Sequence, residues 1–326
     1  MKILIVRFSS IGDIVLTSPI IRCLKAQLGE RVEIHFLSKV QFTDLLIDNP
    51  FIDKLYTIKK DINEVLPALQ LEDYTHVVDL HKNLRSKRLI SKLKVKHTSF
   101  PKLNVEKWLL TNFKVNKMPK LHIVDRYFEA VKVLGVKNDM KGLDFFIRPG
   151  NEVDITKVYG LENYKAIAIG AQFATKRLPF EQLKQIIATL EGDVVLLGGP
   201  TDTELGDQLK DSLTDKSILN LCGKLNLQQS ASVLKQASVL LTHDTGLMHI
   251  ASAFEMPIVS VWGNTVPDLG MYAYMPAKPE LVHIHEVKDL KCRPCSKIGY
   301  KGCPKKHFNC MVKQDVEEIV RDVNGY

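Results

Sequence analysis

The sequence predicts an α/β protein with two doubly wound parallel sheets, and three observations carry that prediction. Short apolar runs alternate with segments of helical spacing. The alternation restarts after a polar, glycine-containing stretch at 137–163. The chain has 326 residues, 45% apolar and 25% charged, which suits about two soluble domains of ~150 residues each. That composition excludes a disordered tail, a collagen-like fibre and a coiled coil. No run of ~18 apolar residues occurs, so no transmembrane helix is expected. Arg7 and Asp13 interrupt the apolar start at Ile3–Val6, unlike a signal peptide, and a cytoplasmic location is expected.

In the first half, Lys2–Val6 reads as a buried strand. Asp13–Leu28 follows as a helix, with Ile14, Thr17, Ile20, Ile21 and Leu24 on one face. Val32–Leu37, Leu55–Ile58 and His76–Leu80 are the next strands. Such βαβ alternation implies a parallel sheet covered by helices. In the second half, Ala166–Gly170, Val194–Leu197, Val239–Thr242 and Ile258–Trp262 read as strands. Phe180–Leu190, with Pro179 at its first turn, Leu227–Gln236 and Gly246–Phe254 read as helices. Val316, Ile319, Val320 and Val323 give the last segment one apolar face, so the chain is expected to end in a docked helix. The reading is two Rossmann-like domains, 1–155 and 156–326, joined near 145–163.

Charge is uneven. The net charge is +8, with +10 over residues 1–150 and −2 over 151–326. Lys82–Lys120 holds 12 basic residues and a single acid, Glu106. That zone would attract a polyanion, whether nucleic acid, anionic lipid or phosphorylated glycan; the plainer reading is a solvated face. Of six cysteines, Cys23 and Cys222 lie in apolar contexts. Cys292, Cys295, Cys303 and Cys310 form C-x2-C-x7-C-x6-C. The spacing could hold zinc, but the second pair is loose for that, and a compact thiol-rich loop is the favoured reading.

Chemistry-bearing residues gather after the strands, where ligands bind in such sheets. Phe8-Ser9-Ser10-Ile11-Gly12-Asp13 follows the first strand with one glycine, not the G-x-G-x-x-G of dinucleotide binders, which argues against a nicotinamide enzyme. Asp13 is either a helix cap or a general base facing a cleft. In His243-Asp244-Thr245-Gly246-Leu247-Met248-His249, Thr245 and Gly246 would present N–H groups at a helix start, a ready anion site. Asp244 is a candidate cap for that helix. Lys176, in Thr175-Lys176-Arg177-Leu178-Pro179, could reach a phosphate. Asp202, after Gly198-Gly199-Pro200, stands where a carboxylate could hold a ribose hydroxyl. In the basic half, Asp79–Ser86 follows another strand, and His122 and Arg126 share a helix face at i, i+4. Each of these is either a plain surface group or part of an anion-binding cluster.

This ordered set resembles the lipopolysaccharide heptosyltransferases, glycosyltransferase family 9, over most of the chain. The matching elements are S-S-I-G-D ending at Asp13, D-L-H-x-N-L-R-S at 79–86, H-x-x-x-R at 122–126, T-K-R-L-P at 175–179, G-G-P at 198–200 and D-T-G-L-x-H at 244–249. The C-x-P-C…C…C element at 292–310 resembles the branch containing the second heptosyltransferase. The resemblance implies a GT-B fold of two facing Rossmann-like domains. It also implies inverting, metal-independent transfer of heptose from ADP-heptose to a lipid-linked lipopolysaccharide core, with no cofactor beyond that substrate. Another nucleotide sugar or surface glycan is the alternative within the family. Residue by residue, Asp13 matches the catalytic base and Lys176 the lysine near the donor phosphates. Asp244, Thr245, Gly246 and His249 match the donor motif, Asp202 the ribose contact, and Leu225 falls beside the adenine. Ser10, Gly12, Arg85, His122 and Arg126 match acceptor-side positions. Ala171 and Gln172 stand where Ser or Thr is common, and Leu178 where an aromatic is. The basic zone would meet anionic groups of the acceptor and the inner face of the membrane; nucleic acid is not expected as a partner.

Overall fold

The computed structural model describes residues 1–29 and 31–326. The chain folds into two compact units, one of residues 1–102 with 121–146 and a second of 103–120 with 147–326. The sequence-based boundary at 155/156 therefore differs in two ways: the main break falls after Phe146, and the 103–120 excursion groups with the second unit. Leu110 shows the reason, since it is buried with Val266 and Leu269 of the second unit.

The first unit holds β1 (Lys2–Val6), β2 (Glu33–Lys39), β3 (Lys54–Ile58), β4 (His76–Asp79) and β5 (His97–Ser99), in the order β3-β2-β1-β4-β5. All four pairings are parallel. Ile3, Leu4, Ile5 and Val6 are fully buried, as expected of a central parallel strand covered on both faces. The helix predicted over 13–28 is two helices, α1 (Ile11–Val15) and α2 (Ser18–Leu28). Pro19, in the first turn of α2, has no N–H to return to the Val15 carbonyl, so the helix must restart there. The remaining helices of this unit are α3 (Leu66–Gln70), α4 (Leu84–Leu93) and α6 (Ile123–Phe128), while α5 (Asn104–Phe113) lies in the 103–120 excursion.

The second unit holds β6 (Tyr164–Ala168), β7 (Asp193–Leu197), β8 (Ile218–Asn220), β9 (Val239–His243), β10 (Ile258–Trp262) and β11 (Val282–Glu286), all parallel, in the order β11-β10-β9-β6-β7-β8. Its helices are α7 (Ile155–Tyr159), α8 (Phe180–Thr189), α9 (Thr203–Asp211), α10 (Leu227–Gln236), α11 (Gly246–Ala253), α12 (Asn309–Val312) and α13 (Val316–Asn324). Ile319, Val320 and Val323 of α13 join the core formed with Leu183 and Ile187 of α8 and Leu241 of β9. The terminal helix therefore docks as its pattern predicts.

In the first unit, Arg22 of α2 donates to Asp139 at 2.8 and 2.9 Å, to the Gly142 carbonyl at 3.0 Å, and to Asp144. These bonds fasten the 139–144 segment to α2. Arg22→Ala strands two carboxylates that are four-fifths buried or nearly so, and a cost of about 3 kcal/mol is expected. Urea unfolding of the variant measures it; a loss below ~1 kcal/mol would make the cluster a surface decoration.

Candidate functional site

In each sheet the strand order reverses at one point, between β1 and β4 in the first and between β6 and β9 in the second. In open parallel sheets, ligands bind where the loops leaving such paired strands diverge, at the carboxyl ends. The candidate residues fall at these two places.

In the first unit, Val6 pairs with Asp79, which brings the ends of β1 and β4 level. Arg7, the next residue, is buried. Its guanidinium donates to the Ser9 carbonyl at 2.7 Å and the Leu80 carbonyl at 2.5 Å, and pairs with Asp13 at 2.6 Å. Asp13 also accepts from the Ser10 hydroxyl at 2.7 Å and the Ser10 N–H at 3.2 Å. Asp13 is thus the third residue of α1 in a capping box with Ser10. Burial pushes its pKa up, but Arg7 and the Ser10 bonds outweigh burial and hold it below the ordinary carboxylate range. Gly12 is buried within α1, and Ser10 is exposed at its start.

The β4 side is tied by Asp79, which accepts from the N–H groups of His81 and Lys82 and from the Ser86 hydroxyl. The motif Asp79–Ser86 is therefore a fastened turn, capped onto α4 by Asn83. It delivers Arg85 over the Phe8 ring at 5.5 Å, and His81 against the same ring at 5.1 Å. Burial, then Arg7, lowers the His81 pKa to about 3, so this imidazole is neutral at pH 7. His122 is the N-cap of α6, accepting from the Val124 N–H at 3.2 Å, rather than a residue inside the helix. His122 and Arg126 are both buried, which overturns the reading of them as surface groups. Tyr127, beside Arg126, lies under the Arg7 guanidinium at 6.0 Å. Arg7 therefore joins all three segments of this cluster. In the sequence it stands out only as an interruption of the apolar start, although a cation ending an apolar strand six residues before an acid is a usable signal.

In the second unit, Lys176 after β6 meets Asp244 after β9. Nζ donates to Asp244 Oδ2 at 2.5 Å and to the Asp244 carbonyl at 3.2 Å. Thr265 donates to the same carboxylate oxygen at 2.9 Å. Asp244 is thus a lysine partner and not the cap of α11. That N-cap is Thr245, whose side chain makes no cap bond and instead lies 3.2 Å from the Thr242 hydroxyl. Gly246 begins the helix, and His249 is buried one turn later. His243 is buried too and accepts the Leu178 N–H at 2.9 Å, so β9 holds the lysine loop in place. Leu178 fills the core at the position where the family resemblance leads one to expect an aromatic.

Asp202, the expected ribose contact, lies buried in the loop after β7. Its carboxylate is 6% exposed, pairs with Arg177 at 3.0 Å and accepts the Gly199 N–H at 2.9 Å. A Cβ on Gly170 would collide with that carboxylate, so Asp202 fills the space beside the glycine. Leu225 is half-buried in the turn before α10. Ala171 offers its carbonyl to Arg177.

The four clustered cysteines are free thiols, as are Cys23 and Cys222. Among the described residues, no three or more His, Cys, Asp or Glu side chains are arranged to hold a metal ion. Cys295 donates to the Cys292 carbonyl at 3.0 Å, and Cys292 lies 3.9 Å from His307. The loop braces its neighbours. Tyr300 exchanges hydrogen bonds with Thr175 at 2.8 and 3.2 Å. Arg293 donates to the carbonyls of Gly263 and Thr265 and pairs with Glu286 at 2.9 Å.

The His243 pKa is lowered to about 4, chiefly by burial. The unfolded chain binds that proton near pH 6.5. Stability is therefore complete above pH 6.5 and falls as the pH drops toward 4, by up to ~3 kcal/mol from this group. His243→Gln should flatten the dependence of the urea midpoint on pH in that window; an unchanged slope would assign the acid sensitivity elsewhere.

The family model described as "Glycosyltransferase family 9 (heptosyltransferase)" matches residues 63–302. The lipooligosaccharide heptosyltransferase 2 of Campylobacter jejuni is 25% identical, with 99% of this chain and 98% of that one covered. The protein of the same name from Haemophilus influenzae is 26% identical over 70% and 71%. The glycosyl transferase family 9 structure from Veillonella parvula superposes with a TM-score of 0.77 at 20% identity, covering 99% and 96%. The Escherichia coli ADP-heptose lps heptosyltransferase II structure gives 0.75 at 19%, covering 100% and 98%. The two parallel sheets are therefore those of the GT-B fold.

Proposed function

Because the chain belongs to glycosyltransferase family 9, the heptosyltransferase family, we propose that it moves heptose from ADP-heptose to a lipopolysaccharide core acceptor, inverting the anomeric centre without a divalent cation. The carrying observation is the Lys176–Asp244 pair beside the start of α11. Lys176 uses two donors on Asp244, and an ammonium has three. The third suits a phosphate oxygen. The first N–H groups of α11 add a second anion-binding element, because Thr245 does not cap them with its side chain. Thr245, Gly246 and Lys176 then stabilise charge that grows on departing ADP, a role often given to a metal. His249 supports that turn from within the helix, and Leu225 lines the adenine.

Asp13 is the base of this reading. The acceptor hydroxyl oxygen bonds to the anomeric carbon as the bond to the β-phosphate oxygen breaks. The hydroxyl proton passes to Asp13 and the electron pair leaves with ADP. A carboxylate held ionised by Arg7 is ready at neutral pH, though a weak base; it acts on a proton made acidic by the forming bond. Arg85, His122 and Arg126 bind anionic groups of the acceptor. The names of the relatives, lipooligosaccharide heptosyltransferase 2 among them, support the acceptor class.

A mass-spectrometric transfer assay with ADP-heptose, a truncated core acceptor and a chelator tests the proposal. Wild type should add one heptose mass. Asp13→Ala should lower the rate by ~10²–10⁴-fold with nearly unchanged ADP-heptose affinity. Lys176→Ala should weaken ADP binding and slow transfer by ~10²-fold or more. Comparable losses of donor affinity and rate in Asp13→Ala would refute its acceptor-side role. The pH profile gives a separate check. Without Arg7, burial dominates the Asp13 carboxyl, so its pKa rises. Arg7→Met should move the acid limb of kcat/KM to higher pH, whereas a limb that stays put would separate Arg7 from the reacting base.

A further inference from the structure

One segment of the second unit turns its largest apolar side chains outward. The inner face of α5 is Leu110, buried on Val266 and Leu269 with Met118 beside them. Val105 and Trp108 stand three residues apart on the opposite face, 66% and 54% exposed. Phe113 and Val115 continue the patch at 61% and 44%. The rings of Trp108 and Phe113 meet edge-on at 5.0 Å, so these side chains form one exposed cluster. Contiguous apolar surface of this kind marks a contact site.

Its rim is cationic. Lys107, Lys114, Lys117 and Lys120 lie in 103–120, against Glu106 alone. Lys114 also donates to the Pro294 carbonyl at 2.7 Å. That bond ties the segment to 291–306, which carries five lysines and no acid, and which exposes Ile298 and Tyr300. A second copy of this face would set lysines against lysines. Nucleic acid would use the rings for base stacking but would gain nothing from Val105, Val115 and Ile298. Aromatic and aliphatic side chains ringed by lysines match the boundary between anionic headgroups and acyl chains, where lysine stems lie along the apolar layer and the ammonium groups reach phosphate.

We propose that α5 and the segment following it form a docking surface for an anionic lipid bilayer, with Trp108 and Phe113 entering the headgroup boundary. This reaches beyond the transfer reaction and does not depend on it. Trp108 supplies the test, because the chain has two tryptophans and Trp262 is fully buried. Phosphatidylcholine–phosphatidylglycerol vesicles free of any glycan should shift the emission to the blue and co-sediment the protein. Pure phosphatidylcholine should bind about tenfold more weakly or worse. Phe113→Ser should weaken binding to anionic vesicles by about tenfold, and so should Lys117→Glu with Lys120→Glu, while the unfolding midpoint and ADP affinity stay unchanged. Equal binding to both vesicle types, no binding, or binding indifferent to Phe113 would overturn the proposal. So would a dimer in sedimentation that Phe113→Ser dissociates, which would give the face to a second copy. Loss of transfer activity on a soluble, delipidated acceptor bears on the enzymatic reading alone.

Discussion

Every strand in both sheets runs parallel, and most of what is chemically interesting follows from that constraint. Parallel strands send all their exits to one edge, and the reversal of order pulls two neighbouring exits apart. Polar loops can then converge without competing for ladder hydrogen bonds. Each unit closes its reversal with an ion pair. Arg7 meets Asp13 beyond β1, and Lys176 meets Asp244 between β6 and β9. Removing a guanidinium from water costs several kcal/mol, and the pair with Asp13 alone would not repay it. Two backbone carbonyls, from Ser9 and from Leu80 beyond β4, complete the shell. Arg7 thereby makes the two strand exits a single rigid feature.

The second pair is braced from further away. Arg293 holds the carbonyls of Gly263 and Thr265, and the Thr265 hydroxyl holds Asp244. From the other side Tyr300 fixes Thr175, the neighbour of Lys176. The thiol-rich loop thus acts on the lysine through backbone and hydroxyl bonds. A rigid surround matters for an anion site because preorganised donors need no reorientation as charge develops. His243 belongs to the same scheme: kept neutral by burial, it can accept the Leu178 N–H, which a protonated ring could not do.

Much of this is legible in the sequence, and the limits have physical causes. Central strands are legible almost to the residue, as for Lys2–Val6 and Ile258–Trp262, because burial on both faces leaves mostly apolar runs. Three of the four edge strands, β5, β8 and β11, are not, whereas β3 is legible as Leu55–Ile58. His97-Thr98-Ser99 and Val282–Glu286 are short or polar, as suits strands with one side unpaired. Loop chemistry follows the same division. Lys176, Asp244 and Asp13 are visible because each follows a recognisable strand. Their partners Arg7 and Thr265 are not, and neither is the pairing of Asp202 with Arg177, since partnerships in space leave no spacing along the chain. Asp202 shows this most plainly, as a carboxylate whose partners, Arg177 and a loop N–H, leave no trace in the spacing.

The basic zone needs the same correction from sequence to space. Over Lys82–Lys120 it reads as one cationic band, yet the chain crosses between units within it, after Lys102. The early lysines are partly structural: Lys82 donates to the Phe100 carbonyl, and Lys102 to those of His81 and Lys82. These bonds close the turn that carries Arg85, so the early charge is held at one place in the first unit. The later lysines accompany outward-facing Trp108 and Phe113 instead. Charge fixed within one hydrogen-bonded turn favours a single anionic group at a defined place. Charge spread around an apolar cluster favours an extended anionic surface, to which each lysine contributes separately. Two arrangements of basic charge thus share one run of sequence, and only the fold separates them.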